Sequence, residues 1–294
     1  MHESSARSRT VDALRHPAAL WTAPALIYLI IRQVGLFVLQ LVVEYQNKLT
    51  GKADTSVDNL KSWDGDWFLG IAAGGYNGVP SPPYDAFGRR TAETPLAFFP
   101  GYPALIRWVD GLPGVDVIGA AFAVSLISGV FCAYGLFVLG RVVREGSNRT
   151  GLILVTLFAA SPMAVVLSMT YSEATFCAFA VWALVGVVKK RWILAGVCCA
   201  AAGLVRPTAA ALIVAVGLAA LVADPARLRR VVEVALDAFG ARRLMYGSDW
   251  PMACLTAGPA GWRTAVDGLI AGLGADERRA VLGTTAAVCY RLGA

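Results

Sequence analysis

Charge is scarce in this chain: Asp, Glu, Lys and Arg make up 16% of 294 residues, where a soluble domain carries about 25%. That excludes an ordinary soluble enzyme and a charge-rich disordered chain. Histidine is nearly absent. His2 and His16 are the only two, so nothing beyond position 16 can supply an imidazole as metal ligand or general base. The six cysteines, at 132, 177, 198, 199, 254 and 289, show no C-x-x-C spacing, which excludes a disulfide-stapled module and a zinc ribbon. Four of them lie inside apolar runs and read as small packing residues. No P-loop, Rossmann turn or internal repeat is present.

What fills the chain is apolar: 57% Ala, Val, Ile, Leu, Met, Phe, Trp, Tyr and Cys before the 30 glycines are counted, with a mean hydropathy of +0.59. The natural solvent for that composition is lipid. The net charge of +6 belongs entirely to residues 1–230, with 20 Lys+Arg against 14 Asp+Glu. The excess sits in short clusters between apolar runs, a membrane-topology pattern and not a phosphate-binding stripe, so no nucleic-acid partner is expected. A helix needs about 20 apolar residues to cross the bilayer. Runs over 19–43, 117–139, 150–170 and 174–188, and two more within 192–223 on either side of Arg206-Pro207-Thr208, predict an all-α polytopic membrane protein of about six transmembrane helices. The first run is too long for a signal-peptide core and is expected to remain as an anchor.

Charge placement then orients the bundle. With the N-terminus cytoplasmic, the inside segments 1–18, 140–149, 189–191 and 224–230 carry 12 Lys+Arg. The long extracytoplasmic first loop, 44–116, carries six, with nine Asp+Glu. The positive-inside rule is obeyed at each inside segment. The predicted location is therefore a multi-pass protein of the cell membrane. On this topology Asp64, Asp66, Glu173 and Arg206, none of which lies in the inside segments, all fall at the outer face. Ionisable groups at such depth are costly and mark function, so they predict one extracytoplasmic site; the structural alternative is four separate helix-end caps.

The outer loop is too long for a connector. Its centre runs Lys61-Ser62-Trp63-Asp64-Gly65-Asp66-Trp67-Phe68. On a helix Trp63 and Trp67 share a stripe suited to lipid headgroups, while Asp64 and Asp66, two apart, point in different directions. Downstream, 94–107 is aromatic and broken by Pro100 and Pro103. It reads either as a rigid interfacial turn or, through Tyr102 and its neighbours, as the wall of a site that takes a lipid chain.

These blocks resemble a known family. Trp-Asp-x-x-x-Phe-Leu-x-Ile-Ala-x-x-Gly-Tyr (63–76), Phe-Phe-Pro-Gly-Tyr-Pro (98–103), Ser-Pro-Met-Ala (161–164) with Tyr-Ser-Glu (171–173), and Gly-Leu-Val-Arg-Pro-Thr (203–208) are similar, in order, to blocks of the PIG-V mannosyltransferases. The resemblance covers residues 20–222. It implies a GT-C class membrane glycosyltransferase that moves mannose from a polyprenyl-phosphate carrier to an extracytoplasmic lipid or glycan acceptor with inversion. In that reading Asp64, heading the shared block, is the catalytic base. Asp66 is the catalytic understudy, binding the acceptor or holding a divalent cation, and no other cofactor is implied. Arg206 stabilises the departing phosphate, Glu173 orients Arg206 or touches the sugar, and Trp63, Trp67 and Tyr102 line the substrate. Members of the family generally have more than six spans, so the bundle (1–230) reads as truncated. Arg32, midway along the first run, is expected to pair structurally inside the bundle.

The tail, 231–294, resembles something else. Phe239–Pro251 and Ala275–Leu292 are similar to the C-terminal end of amidohydrolase-related TIM-barrel hydrolases, in which the residue matching Asp249 ends the last strand at the metal site. A barrel needs about 250 residues, and the metal-binding His-x-His of that family is missing. The tail is thus expected to be a short α/β fragment, with its strand near Arg243–Tyr246, and catalytically inert.

Overall fold

The computed structural model describes residues 17–79, 84, 88–89, 93–248 and 258–291. His2, His16, Asp249 and Cys254 lie outside the described residues. The chain divides into two compact units, Met1–Ile213 and Val214–Ala294, with the division inside the last apolar helix.

In the first unit the apolar runs become helices. The first is α1 (Pro17–Thr50), followed by short helices α2 (Ser56–Lys61) and α3 (Asp64–Gly74). A 3₁₀ turn at Thr94–Ala97 leads into α4 (Gly101–Asp110), then α5 (Val117–Val142), α6 (Asn148–Ala159), a 3₁₀ turn (Ala164–Ser168), α7 (Glu173–Val188), α8 (Trp192–Val205) and α9 (Ala209–Ala223). Starts are capped by the residues that do this well: Asp116 accepts from the Gly119 N–H, Ser147 from the Thr150 N–H, and Thr55 forms a reciprocal capping box with Asp58.

Close approach is built on small residues. A Cβ on Gly140 would fall 2.6 Å from the Gly151 main-chain nitrogen, joining α5 to α6. Gly186 similarly admits the Ala195 backbone where α7 meets α8. Packing of this kind suits helices with no hydrophobic drive toward one another. One core joins Tyr28 of α1 to Phe137, Val155 and Ala159. A second joins Phe68 and Leu69 of α3 to Tyr102 and Ile106 of α4 and Ala121 of α5. The outward faces are just as apolar: Ile30, Val34, Phe37, Ile127, Leu157 and Val197 are all exposed.

Two helices, α1 over Leu20–Thr50 and α5, are long and apolar enough to cross a membrane. Helices α6 to α9 stand at the expected places, but each is shorter than the about 20 residues a perpendicular crossing needs. The largest departure from the sequence reading is the third run. Instead of reaching residue 170, α6 stops at Ala159, because Pro162 disfavours helix at the residue before it. The guanidinium of Arg32, from α1, donates to the Ala159 carbonyl at 3.2 Å and to Ser168 Oγ at 3.0 Å. A positive charge on a helix C-terminus is favourable, so Arg32 has the structural pairing expected of it.

The second unit holds α10 (Pro225–Phe239), a 3₁₀ turn at Ala241–Arg243, α11 (Gly258–Leu269), α12 (Ala275–Arg279), a π turn (Ala280–Thr284) and α13 (Thr285–Cys289). Its small core gathers Ala241, Val266, Ile270 and Val281. The strand expected near Arg243–Tyr246 is not formed, and among the described residues no strand occurs. One backbone bond, from the Tyr246 N–H to the Val281 carbonyl, holds the segment. A strand needs a neighbour along its edge, and among the described residues this unit offers only helices and turns, so the described part of the tail is helical and not α/β.

Candidate functional site

The head of α3 is where the loop chemistry concentrates. Helix α2 ends at Lys61, and the chain turns at Trp63, which takes φ 56° and ψ −118°. A positive φ on a bulky side chain is strained and persists only where its surroundings impose it. Asp64 and Asp66 then occupy the first turn of α3, where the helix dipole favours negative charge. Both are exposed. Partial desolvation pushes the Asp66 carboxyl above the usual carboxylate range, opposed by the Lys61 ammonium.

What imposes the turn is the segment just before α7. The Thr170 N–H donates to the Leu60 carbonyl at 3.1 Å. The Tyr171 hydroxyl donates to the Ser62 carbonyl at 3.2 Å, and its oxygen accepts the Asp64 main-chain N–H. Gly65 lies directly beneath: a Cβ there would sit 2.4 Å from Thr170 Oγ1. Behind this segment, Ser125 of α5 donates to the Met169 carbonyl at 2.9 Å and shares a 2.8 Å hydrogen bond with the Tyr102 hydroxyl. Burial raises the Tyr171 phenol to about 12, with the charges of Asp64, Glu173 and Asp66 adding to the effect.

Arg206, at the C-terminus of α8, completes the cluster. Its Nη1 contacts Glu173 Oε1 at 2.5 Å and donates to Ser172 Oγ at 3.4 Å. The other Glu173 oxygen, Oε2, is buried with no hydrogen-bond partner among the described residues, as is Thr170 Oγ1. Helix α4 reaches the same end of α8, because Gly101 leaves room for the Leu204 carbonyl, 2.7 Å from where a Cβ would be. The segment 170–173 thus touches the turn that precedes Asp64 and Asp66, and itself carries Glu173, the partner of Arg206.

The aromatic residues divide differently from the sequence reading. Trp63 is 76% exposed. Trp67 is buried and stacked on Phe98, with ring centroids 5.7 Å apart. The headgroup stripe expected of the pair is not formed, since α3 begins after Trp63 and the left-handed turn breaks the helical register between them. Tyr102 is completely buried, edge-on to Phe68. Trp67 and Tyr102 therefore back the site from inside the core. Two contributors went unpredicted, Tyr171 and Ser125. The signal for Ser125 was faint: one of two serines in an apolar run. Among the described residues no group of three His, Cys, Asp or Glu is arranged to hold a metal ion. Asp64 and Asp66 alone do not fit the oxygen-rich shell a hard divalent cation requires.

Comparison with known proteins divides the chain in the same two directions. Residues 193–292 match the family model described as amidohydrolase. The chain is 32% identical over 138 residues to the GPI mannosyltransferase 2 of Drosophila pseudoobscura pseudoobscura, covering 44% of this chain and 27% of that protein. It is 43% identical over 70 residues to the L-fucono-1,5-lactonase of Burkholderia multivorans, covering 24% of each. The chain spans about a quarter of the length of either curated relative. No solved structure matches it. Likeness to a mannosyltransferase and to an amidohydrolase are thus both present in one chain, and the exposed apolar helices together with the first of these indicate membrane association.

Proposed function

We propose that the first unit is the catalytic part of a multi-pass membrane glycosyltransferase that transfers mannose from a polyprenyl-phosphate carrier to a lipid or glycan acceptor on the extracytoplasmic face. The observation that supports this reading is that the segment 170–173 touches the Asp64 turn through Tyr171 and itself carries Glu173, which pairs with Arg206. Carboxylates on one side of that segment and a guanidinium on the other suit a substrate with a nucleophilic hydroxyl at one end and a phosphate at the other.

In this mechanism the Asp64 carboxylate takes the proton of the acceptor hydroxyl as that oxygen attacks the anomeric carbon. The new carbon–oxygen bond forms on the face opposite the breaking bond to phosphate, so the configuration inverts. This is the base half of the inverting scheme. The leaving group is the carrier's phosphate monoester, which departs without a general acid. Arg206 stabilises its charge through hydrogen bonds from the guanidinium, held in place by Glu173 and Ser172. Asp66, on another side of the same helical turn, binds the acceptor. Base assistance is worth about 10²–10⁴-fold, so Asp64→Asn is expected to lose at least about 100-fold. The test incubates membranes containing the protein with radiolabelled polyprenyl-phosphate mannose and follows label into the lipid fraction. Transfer by Asp64→Asn equal to the parent removes the assignment of the base.

The second reading, a hydrolase acting through the tail, is favoured by the amidohydrolase match over 193–292. Against it stands the donor set: residues 193–292 contain no histidine, so the imidazoles of a metal-dependent hydrolase would have to come from elsewhere. Turnover of a sugar lactone by the purified chain would restore that reading.

A further inference from the structure

We propose that Tyr171 is a positioning residue: by bridging the Ser62 carbonyl and the Asp64 main-chain N–H, its hydroxyl holds Trp63 in the left-handed turn that aims Asp64. This inference rests on the assignment of Asp64 as base, and it deepens that reading by naming what orients the base.

The geometry isolates the hydroxyl's task. The turn has a strained residue at its apex, Trp63, and side chains at φ above zero revert toward negative φ when unrestrained. Trp63 is mostly exposed, so its own packing cannot hold the strain. What can hold it lies on either side. Leu60 is tied by its carbonyl to the Thr170 N–H, and Ser62 by its carbonyl to the Tyr171 hydroxyl. The first bond precedes the strained residue by three positions. The second grips the peptide immediately before it, and the Asp64 N–H, immediately after it, reaches the same phenol oxygen. One hydroxyl therefore closes a loop across the strained residue, and its removal frees both flanking peptides together.

The phenol is itself fixed. Tyr171 is buried beside Leu60 and Met169. Its carbonyl and that of Met169 face Ser125 Oγ, which is held in turn by Tyr102. The chain of contacts thus runs from the core of α4 and α5 to the catalytic turn. Tyr171→Phe keeps the ring and its packing and deletes only the bridge. In Tyr171→Phe the turn relaxes and the carboxylate moves, and a displacement of about 1 Å in a reacting group costs on the order of 100-fold.

Two readouts on the full chain in membranes or detergent test this. The first is hydrogen–deuterium exchange over residues 60–67. The Asp64 amide is expected to exchange at least about tenfold faster in Tyr171→Phe, with α5 and α7 unchanged, and unchanged exchange at Asp64 overturns the proposal. The second is mannosyl transfer. Tyr171→Phe is expected to lower kcat about 10–100-fold with donor KM held within about threefold. Adding Trp63→Gly, which takes positive φ without strain, is expected to recover part of that loss. A rise in KM with kcat unchanged overturns positioning. If the parent itself transfers no mannose, the transferase reading falls, and the exchange readout still decides whether Tyr171 holds the turn.

Discussion

The carboxylate of Glu173, first residue of α7, and the guanidinium of Arg206, just past the end of α8, meet at 2.5 Å. Their side chains are 26% and 29% exposed. An ion pair that open to solvent contributes about 1 kcal/mol or less to folding, so its removal separates a structural from a chemical role. Arg206→Lys is expected to leave the thermal midpoint nearly unchanged while lowering transfer at least about tenfold, because a lysine cannot reproduce a planar fork that serves Glu173 and a phosphate at once. Parallel losses of stability and activity would instead make the pair a strut.

Gly65 tests the docking of the turn on α3. Alanine there puts a methyl 2.4 Å from Thr170 Oγ1, a buried side chain with no room to retreat. Overpacking of this kind costs typically about 1–3 kcal/mol, and the shift falls on the residue between Asp64 and Asp66. Gly65→Ala is expected to lower both stability and transfer. The control is Gly196→Ala in α8, where nothing lies within 4 Å and helix propensity favours alanine by about 1 kcal/mol. If Gly65→Ala behaves like the control, the packing between the turn and α3 is looser than described.

Alkaline stability reports on Tyr171. Its phenol ionises ordinarily near 10 and is raised to about 12 in the folded chain, first by burial and then by the Asp64 carboxylate. Between those values the unfolded chain releases the proton and the folded chain retains it. The stabilisation is thus complete below pH 10 and is lost as pH rises toward 12. Unfolding midpoints of Tyr171→Phe are expected to fall less steeply over that window than those of the parent. Identical slopes would mean that the phenol titrates normally.

Several of these contacts could be read from the sequence and several could not. Break points were legible: Tyr171-Ser172-Glu173 and Arg206-Pro207-Thr208 interrupt apolar runs, and the structure starts α7 at the first and ends α8 at the second. The grouping of Asp64, Asp66, Glu173 and Arg206 on one side rests on charge asymmetry, which sorts the loops without any knowledge of packing, and cysteine labelling from outside the cell tests it. The early end of α6 was legible only in part. Pro162 marks it in the sequence, but the pairing with Arg32, which stabilises it from a position 127 residues away, is carried by no local pattern. Trp67 shows a second limit. Its four-residue spacing from Trp63 implies a shared face only if one helix contains both, and a single left-handed residue voids that premise. The tail strand failed for a related reason, since alternation predicts a strand only where a partner exists.

Sidedness is open to direct measurement. With the six native cysteines replaced by alanine, a cysteine at Trp63 is expected to react from outside intact cells with a membrane-impermeant maleimide. One at Glu145, in the turn between α5 and α6, is expected to react only after permeabilisation. Trp63 is the better reporter than Asp64 because its side chain is 76% exposed and its replacement leaves the carboxylates in place. Reaction at 145 and not at 63 would invert the bundle, put the acidic cluster in the cytoplasm, and remove the extracytoplasmic acceptor from the proposed reaction.

The last expectation concerns the second unit, which has its own small core of Ala241, Val266, Ile270 and Val281 and supplies none of the groups assigned to the transfer. A chain ending at Arg230 keeps Asp64, Asp66, Tyr171, Glu173 and Arg206 with every hydrogen bond that orders them. It is therefore expected to transfer mannose at the parent rate, within about twofold, provided it inserts at an equal level. Equal insertion with lost transfer would place a necessary group in the tail. Lactone hydrolysis by the parent and not by the shortened chain would give the amidohydrolase likeness over residues 193–292 a function of its own.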